Sequence, residues 1–289
     1  MTKRVYEQQI IEPLSFSKMT KLLRGFFTEK NYVETYPQPR LSILAACEDP
    51  TTVRSFNFAG EIWPLPQTGQ MWLERDLMAN PEVEGVYCLT ASYRDEPNPI
   101  PGRHNLTFPM WEFEKKGNYQ DLIQTLSELS VHLGLAESVE EIPLFTYNEL
   151  CEHYGTDELT AEHETMMWKE YSDVIGITDF PERTSPFFNM KFGKLDEKTG
   201  ERLYNKCDFI ICGQETFGAA ERSNDADEMR DAFHSISDGM YAKLLYNEFS
   251  KERVEEELED FFSLDQISRF GAGIGLTRLE RAMKIKGLI

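Results

Sequence analysis

YRDEPNPIPGRHNLTFPMWEFE, residues 93–114, is the stretch of sequence that decides the fold. Alternating aromatic and polar residues stand at its two ends, whereas prolines, asparagines and a glycine fill its middle, which is typical of a turn. The strand-like composition extends outward to residues 85 and 116. We therefore predict a β-hairpin over residues 85–116, with a long loop that is suited to carry functional side chains.

One face of this hairpin carries charge. Side chains two residues apart on a strand leave the same face, so Arg94 and Glu96 point the same way. The returning strand presents on one face the side chains of Phe108, Met110, Glu112 and Glu114. Arginine matches phosphate oxygens in a bidentate geometry and an aromatic ring stacks on a base, so the face suits a nucleotide. A solvated face with salt bridges is the alternative that the pattern leaves open.

A second charged group lies in DFIICGQETFGAAER, residues 208–222, which contains Asp208, Glu215 and Arg222. Magnesium bound to ATP takes one or two carboxylates together with phosphate oxygens. An uninterrupted strand would place Asp208 and Glu215 on opposite faces, so a bulge or turn at Gly213 is needed to bring them together. A buried strand flanked by surface charges is the alternative.

A third segment is GAGIGLTRLERA, residues 271–282. Gly271, Gly273 and Gly275 allow a phosphate or a neighbouring backbone to approach closely, and Arg278 follows near a helix N-terminus, where anions are favoured. Glycines that serve only tight packing are the alternative. The segment does not fit the dinucleotide fingerprint, which belongs early in a βαβ unit.

The remaining pattern predicts a mixed set of helices and strands. An amphipathic helix capped by Ser15 is expected over residues 15–30, followed by a strand that Pro37 and Pro39 confine to a sheet edge. Further predictions are helices at 119–135 and 162–171, a strand pair at 186–192 and 206–212, one acidic helical segment at 226–260, and a final helix after the glycines.

Bulk properties favour one cytoplasmic domain over residues 1–289. The formal net charge is −20, which counts against a nucleic-acid-binding surface, DNA included. No apolar run approaches the length of a membrane span, and the N-terminus lacks a signal peptide pattern. The cysteines form neither a CxxC pair nor a disulfide-rich pattern and are expected to be reduced core thiols: Cys47, Cys88, Cys151, Cys207 and Cys212.

The order of these segments resembles the class II aminoacyl-tRNA synthetases, in particular the aspartate/asparagine/lysine subgroup and its asparagine-specific members. YRDE followed by RHNLTFPMWEFE is similar to the second motif of that family, GAGIGLTRLER to the third, and VETYP at residues 33–37 weakly to the first. The resemblance covers residues 15–284. It implies an α+β fold, with an antiparallel β-sheet of six or seven strands flanked by helices, and a homodimer formed around Pro37.

The resemblance also implies that ATP and Mg2+ are the cofactors. Arg94 would hold the α-phosphate, and Arg278 would cover one face of the adenine and reach the γ-phosphate, so these two are the expected catalytic residues. Asp208 and Glu215 would bind the magnesium ion.

The rest of the implied ATP site comes from the hairpin and the glycine segment. Phe108 would stack on the adenine, and Glu96 would contact its polar edge. Arg103 and His104 would contact the outer phosphates, and Gly275 would let the nucleotide approach the backbone.

The same family frame implies an amino-acid site. Glu48 in CEDP and Gln70 in LPQTGQMWLE would contact the α-ammonium group, and Arg222 the side-chain oxygen. Leu73 and Glu112 match the asparagine-specific members, and an asparagine amide can face Arg222 with its oxygen and Glu112 with its NH2 group. Aspartate bound in reverse, with its β-carboxylate presented to ATP, is the second pose.

We therefore expect an ATP-dependent ligase that forms an adenylate of asparagine or aspartate. The subgroup's anticodon-reading β-barrel has no counterpart before residue 15, so we expect no anticodon-binding domain and a transfer to ammonia or another small amine. A minimal tRNA ligase is the alternative, and a catalytically silent amino-acid or nucleotide sensor is a third reading.

Overall fold

The computed structural model describes residues 10–37, 39–46 and 50–289. The helices in these ranges are α1 (Pro13–Glu29), α2 (Gln70–Ala79), α3 (Tyr119–His132), α4 (Tyr147–Tyr154), α5 (Ala161–Glu170), α6 (Ala226–Ser235), α7 (Met240–Phe249), α8 (Lys251–Phe262) and α9 (Leu276–Ile285). The strands are β1 (Val33–Glu34), β2 (Ser55–Phe58), β3 (Glu61–Pro64), β4 (Gly85–Tyr93), β5 (Thr107–Lys116), β6 (Leu144–Thr146), β7 (Val174–Pro181), β8 (Phe192–Leu195), β9 (Arg202–Ile211), β10 (Gln214–Arg222) and β11 (Arg269–Gly275).

A nine-stranded sheet, flanked by helices, forms the centre of the described chain. Its six long strands are antiparallel in the order β4-β5-β11-β10-β9-β7. The short strands β1 and β6 extend the two edges in parallel pairing, and β8 pairs with β9. The α+β fold with an antiparallel sheet is thus confirmed, and the short edge strands account for the difference from the expected six or seven.

The predicted hairpin is confirmed, since β4 and β5 pair from Gly85↔Lys115 to Tyr93↔Thr107. Helix α1 packs beneath it and buries Phe27 against Trp111 and Phe113 of β5. The predicted cap is wrong: Pro13 lies in the first turn of α1 and Ser15 is buried inside the helix. Proline suits the first turn because its nitrogen would have no intrahelical partner there.

The acidic segment at 226–260 forms three helices rather than one. Left-handed φ angles of 54°, 54° and 76° at Ser237, Asp238 and Gly239 separate α6 from α7, and Ser250, with φ of 68°, separates α7 from α8. We call residues 226–262 the helical insertion. Its apolar side chains, Phe233 among them, form a hydrophobic cluster with Phe188 and with Ile43 and Met71, separate from the main core.

The predicted strand at 186–192 is wrong except for its last residue. Phe187 and Phe188 both place their rings against Tyr241 of the insertion. In a strand, neighbouring side chains point to opposite faces, so these two residues do not have a strand conformation. Strand β8 therefore begins only at Phe192, and it pairs with residues 202–204 of β9 instead of 206–212.

The other helix predictions are confirmed by α3, α5 and α9. Four of the cysteines are buried free thiols, as expected: Cys88, Cys151, Cys207 and Cys212. Cys47 lies outside the described residues. In the described part of the chain, no helix combines the length and the apolarity that crossing a bilayer requires.

Candidate active site

A cavity of about 700 Å³ lies over one face of the sheet, between the hairpin loop and the helical insertion. Of the residues predicted to contact ATP, magnesium or the amino acid, all but one line it: Gln70, Arg94, Glu96, Arg103, His104, Phe108, Glu112, Asp208, Glu215, Arg222, Gly275 and Arg278. Glu48 is the exception, because it lies outside the described residues. Segments that are far apart in sequence are thus brought together along one cavity.

The hairpin loop end of the cavity is cationic. The guanidinium of Arg94 lies 5.4 Å from the centre of the Phe108 ring, and its Nε donates a hydrogen bond of 3.2 Å to the Ser92 hydroxyl. Arg278 Nη1 donates to the backbone oxygen of Glu215 at 2.6 Å. Arg103 is held by an ion pair of 2.5 Å with Glu164. Three guanidinium groups therefore border the space where a polyphosphate would fit.

His104 stands among these arginines. Burial lowers the pKa of its imidazole, and the charges of Arg278, Arg103 and Arg94 lower the pKa further, against the opposing effect of Glu96. The ring is therefore neutral near pH 7 and can act either as a donor or as an acceptor.

Asp208 and Glu215 are brought together by the turn between β9 and β10. Cys212 and Gly213 form a two-residue loop with φ angles of 47° and 79°, and a register shift follows between Glu215 and Phe217. A Cβ atom added at Gly218 would lie 3.1 Å from Glu215 Oε1 and 3.7 Å from Asp208 Oδ1. The turn expected at Gly213 is thus present, and a bulge follows it within β10.

This carboxylate pair fits a magnesium ion that arrives with ATP. Asp208 Oδ1 is buried and has no hydrogen-bond partner within the described ranges. In those ranges no group of three or more acidic, histidine or cysteine side chains could hold a metal. A pair that lacks further protein ligands suits magnesium, which keeps waters and phosphate oxygens as its other ligands.

The charges around the pair differ for the two carboxyl groups. Burial and the negative charge of Glu215 raise the pKa of Asp208, although Lys206 acts in the opposite direction. Burial would also raise the pKa of Glu215, but Arg278 and Lys206 outweigh it and lower that pKa. Lys206, which sequence reasoning missed, donates a 2.5 Å hydrogen bond to Asp208 Oδ2.

A buried carboxylate, Glu112, also lines the cavity. Glu112 accepts hydrogen bonds from the Gly69 amide at 2.8 Å, from the Thr90 hydroxyl at 2.5 Å and from the Thr68 hydroxyl. These donors fix its orientation at the cavity wall. Leu73 instead packs in the core with Leu77 and Cys88. Of the two residues that match the asparagine-specific members, Glu112 is therefore the one that lines the cavity.

Arg222 is oriented by partners that the sequence did not reveal. Its Nη2 and Nε atoms donate to Glu114 at 2.6 and 3.1 Å. Behind this pair, Arg269 Nε donates to Glu74 at 2.8 Å, and Asn189 donates to the other oxygen of Glu74 at 2.7 Å. The sequence pattern placed Glu114 on the same face of the hairpin as Glu112, but it did not predict the pairing of Glu114 with Arg222.

The glycines of β11 make room for side chains of β5. A Cβ atom at Gly271 would lie 2.0 Å from Glu114 Oε1, and one at Gly273 would lie 2.8 Å from Met110 Cε. Gly273 and Gly275 also line the cavity. Tight packing, the alternative noted for this segment, therefore explains Gly271 and contributes at Gly273.

The fold and the cavity agree with a family assignment made from the whole sequence. The model of the class II tRNA synthetases (D, K and N) matches residues 7–286, and the chain belongs to this family. The resemblance drawn from the motifs is thereby confirmed.

One curated protein is similar to part of this chain. The chain is 25% identical over 201 residues to an asparagine–tRNA ligase of Pelotomaculum thermopropionicum. The matched region covers 60% of this chain and 45% of that protein. This chain thus spans less than half of that curated relative.

Solved structures show the same fold. Asparaginyl-tRNA synthetase of Pyrococcus horikoshii, complexed with asparaginyl-adenylate, superposes with a TM-score of 0.73 at 19% identity, over 93% of this chain and 64% of that one. The Entamoeba histolytica asparaginyl enzyme in complex with asparaginyl-adenylate gives 0.72 at 18% identity, over 95% and 63%. The aspartyl enzyme of the same organism gives 0.65 at 19% identity, over 93% and 54%.

Proposed function

We propose that this protein is an ATP-dependent ligase that activates asparagine or aspartate as an aminoacyl-adenylate. The observation that carries the proposal is the set of groups that line one cavity: the guanidinium groups of Arg94, Arg103 and Arg278, the carboxylates of Asp208 and Glu215, and the pair of Arg222 and Glu112. These groups match in turn a triphosphate, a magnesium ion and a polar amino-acid side chain.

In the proposed reaction a carboxylate of the amino acid attacks the α-phosphorus of ATP and pyrophosphate leaves. Two anions must approach each other, so Arg94 and Arg278 would offset the charge that develops at phosphorus. A magnesium ion held by Asp208 and Glu215 would supply further neutralisation of the phosphate oxygens. Because these groups are preorganised, no covalent enzyme intermediate is needed.

The roles proposed for the remaining nucleotide contacts follow the family pattern. Phe108 would stack on the adenine and Glu96 would contact its edge. Arg103, His104 and Gly275 would border the phosphates. Their common position on the cavity wall supports this assignment.

The amino acid would bind in the cavity beside Glu112 and Arg222. In the favoured pose, an asparagine amide gives its oxygen to Arg222 and its NH2 group to Glu112, while Gln70 and Glu48 contact the ammonium group. An aspartate side chain in that pose would meet the charge of Glu112. Reversed aspartate, with its α-carboxylate on Arg222 and its ammonium near Glu112, would avoid this and present the β-carboxylate to ATP.

For the acceptor, we propose ammonia or another small amine. The net charge of −20 supports a small acceptor, because a polyanionic tRNA would be repelled by most of the protein surface. Transfer of the acyl group from the adenylate to the amine releases AMP. Activation of the β-carboxylate of aspartate followed by ammonia would yield asparagine.

Transfer to tRNA is the second candidate function. Membership of a tRNA synthetase family favours it, together with similarity to an asparagine–tRNA ligase. In this case asparagine would be activated at its α-carboxylate and the acceptor would be the tRNA terminus.

We also propose that the protein acts as a homodimer through the edge of the sheet at β1. Val33 is 50% exposed and Tyr36 69% exposed there, next to Pro37. Leu14 of α1 adds a third exposed apolar side chain at the N-terminal part of the described chain.

The first experiment follows AMP, pyrophosphate and amino-acid products from ATP with aspartate or asparagine, with and without ammonium, and then with total tRNA. Asparagine formed from aspartate and ammonium would establish the small-amine ligase. Adenylate that turns over only with tRNA would establish the second candidate. No ATP consumption with either amino acid under any of these conditions would overturn the proposed ligase.

A further inference from the structure

Lys206 places a positive charge inside the carboxylate pair described above. It precedes Asp208 by two residues on β9, so both side chains leave the same face of the strand and border the cavity. Its ammonium group lies 2.5 Å from Asp208 Oδ2 and 3.6 Å from the centre of the Phe180 ring. The carboxylate and the aromatic face hold the ammonium between them.

We propose that the Lys206 ammonium is a built-in cation that weakens the binding of a free divalent ion to Asp208 and Glu215, so that the ion is retained only together with a polyphosphate. This inference rests on the proposed function in taking the pair as the magnesium site. It concerns the order in which the metal and the nucleotide bind, which the proposed reaction leaves open.

Two features of the geometry carry the proposal. Lys206 engages Oδ2 of Asp208, which leaves the buried Oδ1 together with Glu215 for a metal ion. In addition, a divalent ion at the pair would lie close to the ammonium charge, and repulsion is strong where the surroundings are partly buried, since Lys206 is 22% exposed and Asp208 9% in their side chains. The pair alone is therefore a poor site for a free ion.

Phosphate oxygens change this balance. A polyphosphate would bring several negative charges to the cavity wall near Arg94, Arg103 and Arg278. It would also supply oxygen ligands for the ion in addition to the two carboxylates. The attraction between the ion and these oxygens offsets the repulsion from Lys206. The ion then binds as part of its complex with the nucleotide, which prevents a metal from occupying the site without substrate.

The test is a titration of the purified full chain with Mn2+ at pH 8, followed by the electron paramagnetic resonance signal of the free ion, without nucleotide and without amino acid. Lys206→Met removes the charge. Lys206→Gln removes the charge but keeps a donor for Asp208, and it replaces the methionine variant if that one does not fold. Lys191→Met is the matched control, because Lys191 also pairs with a buried carboxylate, Glu221, at 2.7 Å.

We expect the Lys206 variants to bind Mn2+ roughly tenfold or more tightly than the wild type, and Lys191→Met to match the wild type. In the presence of a non-hydrolysable ATP analogue the difference should shrink severalfold. A folded Lys206 variant with wild-type Mn2+ affinity would overturn the proposal, and so would a gain that Asp208→Asn in the same background does not abolish. Because no catalytic turnover is measured, these results are independent of which amino acid or acceptor the enzyme uses.

Discussion

Arg94, the residue proposed to contact the α-phosphate, shows how neighbouring side chains orient a guanidinium group in the cavity. The Ser92 hydroxyl accepts its Nε hydrogen bond, and the Phe108 ring lies beneath the guanidinium plane. Both neighbours belong to the paired part of the hairpin, where Ser92 and Phe108 are directly opposite each other. The side chain is therefore oriented by the sheet even though the loop begins just beyond it.

We expect Arg94→Ala to reduce ATP–pyrophosphate exchange by a factor of about 10² to 10³, as for other losses of a charged group at a reacting phosphate. The fold should remain intact, because the side chain lines the cavity rather than the core. Thermal unfolding measures the fold and exchange measures activation. Arg230→Ala is the control, since Arg230 pairs with Asp227 and Glu259 on the helical insertion. Near-wild-type exchange by folded Arg94→Ala would refute the assignment.

Glu112 is expected to act on selection between amino acids. In Glu112→Gln one oxygen becomes an NH2 group, so the Gly69 amide or one of the threonine hydroxyls loses its acceptor unless a hydroxyl rotates. We expect a change in the asparagine-to-aspartate ratio of kcat/KM of about tenfold or more, with little change in the KM for ATP. Steady-state kinetics with both amino acids measures this. Equal losses for the two substrates would contradict the proposed contact.

At the scale of elements, β11 combines two requirements in one strand. It pairs with β5 and β10 in the middle of the sheet, where a ladder must be continuous, and it also passes directly beneath the Glu114 carboxylate. A side chain at Gly271 would displace the partner of Arg222. The glycine is thus needed for the close approach and not for an unusual φ angle.

Gly271→Ala should destabilise the protein by about 3 kcal/mol or more, because the added Cβ would push Glu114 away from Arg222 and break a buried ion pair. Urea unfolding monitored by circular dichroism measures the free energy of unfolding. Gly25→Ala is the control: it lies inside α1, where the nearest atom to a new Cβ is 3.9 Å away, and we expect no loss or a gain of up to about 1 kcal/mol. Equal effects of the two substitutions would show that the Glu114 contact is not limiting.

Elements with a local signal were predictable, and those that depend on distant partners were not. Residues 85–116 contain both strands and the turn, so their pairing follows from the segment itself. Phe187 and Phe188 were misassigned because their conformation is set by Tyr241, which is distant in sequence. The same holds at the site. The order of the motifs along the sequence allowed the lining residues to be predicted. The contacts of Glu74 with Arg269 and Asn189 could not be predicted, because they depend on how α2 packs on the sheet.

On the scale of the whole molecule, the edge of the sheet at β1 determines the expected assembly. This strand makes a parallel pair of only two residues with β4 and leaves apolar side chains exposed. Exposed apolar groups next to an unprotected strand edge favour pairing with a second copy.

Tyr36→Asp is therefore expected to convert the proposed dimer to a monomer at micromolar concentration, because a charge would be buried in the contact. Sedimentation velocity measures the change. Leu195→Asp places the same charge on β8, where Leu195 is 57% exposed and distant from β1 in the sheet order, and it should leave the dimer intact. A wild-type protein that sediments as a monomer would exclude this assembly.

The route of the chain around the helical insertion has a consequence for how this fold can diversify. The chain leaves the sheet at Arg222 and returns at Arg269, and these two residues are direct partners in the ladder between β10 and β11. The two ends of the insertion are therefore already joined by the sheet, so a change in its length costs little loop-closure entropy. Since Met240 and Tyr241 line the cavity, we expect exchange of this module to alter the shape of the cavity, while the strands that carry the other lining residues keep their register.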